Sequence, residues 1–539
     1  MKRGMTDEGP KSAVKAESPP DSATPASGSR IDALLIWFVA IVSTAAWIPL
    51  YRWYGLFENE HNTHFAFEKI PGYFDSPIMR RTFALFVLLG LLYAFAIWLI
   101  RSMSVLSAPA KLGLIALVLG PAIVNICLYP VGALDVFNYM IELKLAYHYD
   151  ENPYIVTFEA FRADSFALPA FLVNIKLFYG PAWLLTSWIP TAITGFDDVL
   201  TTLLGLKFFN LALLAITALV IARYQDDRRT GWIAATLFLA NPVVLFEGVA
   251  NVHNDVIMTA FMIGSFFALK RRSPLAGPLF ALATLVKFNP LVLLPLFIAV
   301  MIQDGWEWRR LAVTAALTAV AIVTVCLPWW EGGDFVDGVT GGLEESQKMD
   351  HVSVSSLTRQ WYQDQEAGDE VPSVARQLRA YLSFDVVPES TRDRLDRVFA
   401  GIIAIATLAL AIAVWRGMPL EPAAALTLLV LILFGTNFYA WYLIPVFALI
   451  ALRIDRVSLL YVSIATTAGL AYYPMYVYAH FSTGWYRFQV HQFLALFLTV
   501  PAILYVFLYS VNSLIFRRSS DRHASKTPAG SFVEMSDQR

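Results

Sequence analysis

The chain has 539 residues, of which 57% are hydrophobic and 15% charged, with a formal net charge of −2 and a mean hydropathy of +0.56. Soluble domains carry about 25% charged residues, so a soluble fold of this length is excluded for want of a charged surface, and the near-neutral balance argues against a nucleic-acid partner. The apolar residues fall in blocks of about 17–25, the length that crosses a hydrocarbon core of about 30 Å. The fold class read from this is an all-α polytopic membrane protein.

Residues 1–30 are rich in Ser, Pro, Lys and Glu with no apolar run, which predicts a disordered cytoplasmic tail. The following stretch IDALLIWFVAIVSTAAWIPL is too long for a signal-peptide core and has no small-residue cleavage site, so it stays as the first membrane helix. Further helices are expected at about 82–100, 112–130, 200–222, 231–248, 256–270, 310–328, 398–416, 419–435, 438–452, 457–475 and 490–515. Basic loops at Arg101 and Lys111, ARYQDDRRTGW, KRR, RIDR and FRR belong on the cytoplasmic side of a plasma (inner) membrane. Both tails are then inside. The outer face receives a loop at 131–170, His253-Asn254-Asp255 and a segment at 331–396 with a helix expected around PSVARQLRAYL.

Two places break the parity of the count. LFYGPAWLLTSWIP reads as a short or partial element. The stretch 274–302 has cytoplasmic flanks on both sides and is too short for two passes. Lys287-Phe288-Asn289-Pro290 lies at its middle, and proline ends or kinks a helix. Two half-helices meeting at Lys287 fit, because broken helices are tolerated where they line a cavity. The expectation is about 12 full spans plus broken elements. By region, this gives a tail at 1–30, a membrane domain at 31–330, an external segment at 331–396, C-terminal membrane helices at 397–515 and a cytoplasmic tail at 516–539. Cys127 and Cys326 read as inert, since cysteine is often a small buried hydrophobe.

Polar groups at the rim of a membrane helix cost about 2.5–3.5 kcal/mol on insertion scales and are functional-site candidates by default. Asp135, Tyr139 and Glu142 share one face of an amphipathic helix, expected along the interface. Asp135 is either a general base facing a cavity or a helix N-cap, which Asp favours. Glu247 with His253, Asn254 and Asp255 is a second cluster. Asn254 or Asp255 can cap the next helix, whereas His253 can protonate, bind phosphate or orient a carboxylate. A metal site there is the rival reading, weakened by the lack of a close second His or Cys. Lys287 can snorkel, but at the middle of a 29-residue apolar stretch an ammonium suits an anionic phosphate better. Tyr179 and Trp183 in YGPAW, and Tyr439 and Trp441 in TNFYAWY, are either interfacial belt residues or the lining for a sugar ring or polyprenyl chain.

Taken in order, DVFNY with NPY (135–139, 152–154), YGP (179–181), NPVVLFEGVANVHNDVIM (241–258), LATLVKFNPLVLLP (282–295) and FYAWYLIP (438–445) make a familiar series. On these pieces the chain resembles the polyprenyl-phosphate-dependent glycosyltransferases of the GT-C fold, with a likeness to the mannosyltransferases of glycosyltransferase family 87 and to mycobacterial lipoarabinomannan-type mannosyltransferases. The resemblance implies a GT-C-like bundle of about 12–14 transmembrane helices, a lipid-phosphate sugar donor, a lipid or glycan acceptor and inversion at the anomeric carbon; fixed cations can balance a phosphate leaving group, so no metal cofactor is required, and a divalent cation stays open. It puts an essential aspartate at the position of Asp135. By the same likeness His253 and Lys287 would handle the donor phosphate, with Tyr139, Glu142, Tyr154, Tyr179, Glu247, Asn254, Asp255, Tyr439 and Trp441 around the substrates. Two other classes stay open: a secondary transporter, which calls for paired repeats and midplane charges, and a ligase or polymerase of preformed lipid-linked glycan.

Overall fold

The structure, a computed structural model, describes residues 27–59, 76–347, 351–366, 389–482 and 487–524. Among these the chain is helical, and its β pairing is limited to two isolated bridges. In chain order the helices begin with α1 (Ser27–Tyr54), α2 (Ser76–Ser102), α3 (Ala108–Ile126), α4 (Asp135–Tyr147), α5 (Pro181–Thr194), α6 (Val199–Tyr224) and α7 (Arg228–Leu239). Next come α8 (Pro242–Leu245) with a π turn at Phe246–Ala250, α9 (Asp255–Lys270), α10 (Ala276–Val286), a 3-10 turn at Asn289–Leu293, α11 (Leu294–Gln303) and α12 (Trp308–Cys326). The remainder are α13 (Gly333–Gln347), α14 (Val354–Glu366), α15 (Glu389–Trp415), α16 (Leu420–Phe434), a 3-10 turn at Ala440–Tyr442, α17 (Leu443–Leu452), α18 (Arg456–Ser482), α19 (Arg487–Ala495) and α20 (Thr499–Ala524).

Among the described residues six helices are long and apolar enough to cross a membrane: α1, α2, α3, α6, α12 and α15. Two bent pairs raise that to eight, α7 with α8 and its π turn (54°) and α19 with α20 (41°), and four further apolar helices are 10–17 residues long. The protein is thus an all-α polytopic membrane protein. The expected count of about 12 spans had merged these shorter helices with the full-length ones. The helix expected around PSVARQLRAYL lies outside the described residues.

Burial sorts the helices by role. Every side chain of α17 is buried, as expected of a helix apolar on all faces, and α17 forms the centre of the bundle. On α12 only Thr314 and Val325 are buried, so its apolar surface faces lipid. Asp198 caps α6 through Thr201 N at 2.8 Å, and Asp227 caps α7 through Thr230 N at 2.8 Å, each satisfying an otherwise orphaned N–H.

Two Asn-Pro pairs break helices where the site is built. Proline lacks an N–H and drives the residue before it out of the helical region. Asn241 is accordingly extended (φ −67°, ψ 121°), and its Oδ1 caps α8 through Val243 N at 2.9 Å. In the other break Lys287 is extended (φ −151°, ψ 129°) after α10, and Asn289-Pro290 opens the 3-10 turn. The half-helices expected to meet at Lys287 do so. The α4 helix departs from its expected setting: every residue from Val136 to Ala146 is buried. The chain from Asn152 to Tyr179 covers the helix that was expected along the interface, through bonds such as Phe171 N to Asn138 Oδ1 at 3.0 Å and Tyr139 Oη to Tyr179 Oη at 3.3 Å.

Candidate active site

Asp135 is the first residue of α4, and the N-cap is Leu134, with no side-chain capping bond. The carboxylate is therefore free of the capping duty that its position offered. It faces a cavity of 1120 Å³ with 20% of its side chain exposed. Burial among protein groups pushes the Asp135 carboxyl above its ordinary value, against the opposing pull of His253 and Lys287. A carboxylate raised toward neutrality is a better proton acceptor near physiological pH.

Behind Asp135 lies His253. Its Nδ1 is 3.7 Å from Asp135 Oδ2 and its Nε2 is 3.4 Å from Glu247 Oε2. The imidazole is wholly buried, and it stacks on Trp441 at 3.9 Å and 16°. Trp441 stacks on Tyr439 at 4.3 Å and 5°, and Tyr439 on His351 at 4.2 Å and 11°. Four parallel rings thus form one column, which starts beside Asp135. Trp441, Tyr439 and His351 line the cavity.

The turn that carries His253 is tightly held. Lys207 of α6 is fully buried, and its ammonium donates to the carbonyls of Leu128 at 2.9 Å, Ala250 at 2.5 Å and Val249 at 3.3 Å. One turn further along, Asn210 Nδ2 donates to Gly248 O at 2.9 Å and His253 O at 3.2 Å. The carbonyls of Gly248, Val249 and Ala250 end the π turn, where the helical ladder stops. The clamp holds Val252 at φ +59°, a left-handed conformation that costs a β-branched residue about 1–3 kcal/mol. Val352, next to the other histidine of the column, is likewise at φ +55°.

Lys287 supplies the cation. Its Nζ sits 3.1 and 2.9 Å from the two oxygens of buried Asp255 and 4.4 Å above the Tyr442 ring, with 13% of the side chain exposed to the cavity. Asp255 fixes the ammonium by two charge-assisted bonds, and the remaining N–H stays available to a ligand.

Of the residues singled out in the sequence, Asp135, Tyr179, Lys287, Tyr439 and Trp441 line the cavity. Glu247, His253, Asn254 and Asp255 are buried behind that wall, so His253 supports Asp135 and does not reach a phosphate in the cavity. Tyr139, Glu142 and Tyr154 are also buried and do not line it: Tyr139 donates to Tyr179 Oη at 3.3 Å and Tyr154 to Tyr179 O at 2.9 Å. Sequence reasoning missed Lys207, Asn210, His351 and Arg359. His351 bonds its neighbour Tyr472 and pairs in backbone with Thr436 and Phe438; Arg359 lines the cavity beside Asp396. Lys207 had a detectable signal, a charge inside an apolar span. His351 had none, because its partners are about 85 residues away. Among the described residues no group of three His, Cys, Asp or Glu is arranged to hold a metal ion.

A family model described as alpha-(1->6)-mannopyranosyltransferase, N-terminal domain, matches residues 27–303, just over half of the chain. The chain belongs to this mannopyranosyltransferase family. A second match, to glycosyltransferase family 87, covers residues 177–440. The two overlap on the segment carrying Tyr179, the Glu247–Asp255 turn and Lys287, while Asp135 lies within the mannopyranosyltransferase match and His351 within the family 87 match. No curated protein matches the chain. The family matches and the apolar helices make the protein a membrane glycosyltransferase.

Proposed function

We propose that this mannopyranosyltransferase-family protein moves one mannose from a polyprenyl-phosphate donor to a lipid or glycan acceptor, at the outer face of the membrane and with inversion. The observation that carries the reading is one cavity lined by a carboxylate that caps no helix, by a tethered ammonium and by an apolar wall. Phe399, Ala400 and Ile403 of α15, Leu431 and Ile432 of α16, and Leu291 and Val292 form that wall, which suits a prenyl chain.

Asp135 accepts the proton of the acceptor hydroxyl as that oxygen attacks the anomeric carbon. The bond from that carbon to the phosphate oxygen breaks, and its electron pair leaves with the polyprenyl phosphate. Lys287 stabilises the charge that develops there, held in place by Asp255. A fixed cation can balance a phosphate leaving group, so no divalent metal is needed. Holding two membrane-bound substrates in register supplies a large part of the rate.

The test compares membranes carrying wild type or Asp135→Asn, given radiolabelled polyprenyl-phosphate mannose and a lipid extract as acceptor. Transfer by wild type and its loss in the variant at equal protein level is expected. Undiminished transfer by the variant removes Asp135 as the base, and no transfer by either removes this donor.

A further inference from the structure

His253 poses a problem of proton placement. Each ring nitrogen faces a carboxylate, Asp135 on one side and Glu247 on the other. Neither nitrogen has a hydrogen-bond partner, and stacking on Trp441 together with the Asn210 bond to the His253 carbonyl keeps the ring from turning elsewhere. A neutral imidazole has one N–H and one lone pair, and a lone pair set against an ionised carboxylate is repelled. The doubly protonated ring would satisfy both sides, but complete burial disfavours the charged form. One of the two carboxyls therefore carries a proton. If Asp135 is ionised before reaction, that proton resides with Glu247.

We propose that Glu247 is a neutral acid that donates to Nε2 of His253 and so keeps the ring's N–H on Nδ1, aimed at Asp135. The inference rests on Asp135 being the base. Glu247 and His253 are positioning residues: they select the tautomer that supports an ionised Asp135. Glu247 is 1% exposed, and His253 is the only basic group within 4 Å of it among the described residues. Asn251 Nδ2 donates to Glu247 Oε2 at 3.0 Å, which a carboxylic-acid oxygen can accept while it donates to nitrogen. The contacts of 3.4 and 3.7 Å are longer than a hydrogen bond of about 2.9 Å, as catalytic contacts are before substrate closes a site. Asp255 and Lys287 also act on His253 but satisfy each other, and Tyr473 stands beside Glu247. When Glu247 loses its proton to solvent at high pH, the ring's N–H moves from Nδ1 to Nε2 to face it. Asp135 then meets a lone pair and loses its support.

The test is the pH profile of kcat/KM for mannose transfer in membranes carrying wild type, Glu247→Gln, Glu247→Met and Asp135→Asn. Wild type should give a bell. Glu247→Gln offers an amide N–H to Nε2 in place of the acid proton, at the expense of the Asn251 bond to the same atom and so with some loss of maximal rate, and should lose the alkaline limb. One pH unit above the alkaline midpoint, where wild type keeps about a tenth of its maximum, the Gln variant should hold its own maximum. Glu247→Met fills the same space without a donor and should be at least tenfold slower than Glu247→Gln. An alkaline limb that persists in Glu247→Gln, or Gln and Met variants equally slow at equal protein level and melting temperature, overturns the proposal. Wild type without an alkaline limb overturns it even if no variant folds. An active Asp135→Asn removes the base reading itself, whereas an inactive one beside a persisting limb removes the tautomer role alone.

Discussion

Gly180, the middle residue of the YGP motif, is where the Tyr179 loop meets the broken helix backbone to backbone. Its N–H donates to Val286 O at 3.1 Å, one residue before Lys287. A Cβ at this position would lie 2.0 Å from Leu285 O and 2.5 Å from Leu285 C. Gly180 has φ −75° and ψ 161°, a conformation open to any residue, so Gly180→Ala should gain about 0.4–1 kcal/mol by restricting the unfolded chain. The clash opposes that gain. Carbon–oxygen contacts settle near 3.3–3.6 Å, so the two backbones must separate by roughly 1.3 Å, and overpacking of that kind costs about 1–3 kcal/mol. Stability should fall by about 1–2 kcal/mol on balance. The larger consequence is for rate, because a displacement of about 1 Å near the reacting groups costs on the order of 10²-fold, and both Tyr179 and Lys287 move. The assay is mannose transfer at matched protein level together with a melting curve in detergent. Gly401 of α15, with nothing within 4 Å of a built Cβ, is the control: Gly401→Ala should leave rate unchanged and gain up to about 1 kcal/mol. A Gly180→Ala protein with a wild-type rate and an equal or higher melting temperature would refute the reasoning.

Lys287→Ala should lower kcat/KM for the donor by about 10–100-fold, the worth of one charge-assisted hydrogen bond of roughly 1.5–3 kcal/mol, and initial rates across donor concentration check it. Asp255→Asn should retain more of the donor affinity than Lys287→Ala but lower kcat, because the ammonium stays while its fixed direction is lost. Burial raises the Asp135 carboxyl above its ordinary value, and its ionised form is the base. Activity should therefore fall as pH drops through that raised value, giving an acid midpoint above the usual carboxylate range, and a midpoint at or below about 3.9 contradicts the buried setting.

What could be read in the sequence was local. The break at Lys287 followed from an apolar stretch too short for two passes and a proline at its centre, both properties of contiguous residues. Asp135 stood as a choice between base and cap that spacing could not decide. The structure removes the cap reading, because Leu134 takes the cap position. The amphipathic reading of α4 failed because the Asn152–Tyr179 segment folds back over the face that periodicity marked as exposed. The wall of the cavity was least legible: His351 and Arg359 lie in a polar segment with no helical signature of a site, His351 held by backbone pairing with residues about 85 positions later and Arg359 by its ion pair with Asp396. Lys207 could have been found by the rule that flagged Lys287.

The ring column sets a limit on engineering. His253, Trp441 with Tyr439, and His351 come from three separate stretches of chain, yet they share faces like stacked coins. A chimera that exchanges the 331–396 segment would pull away the end coin, His351, and His253 would lose the far support of its stack. A transplant meant to keep the chemistry has to carry residues 436–442 along with the segment, as one module inherited in two pieces.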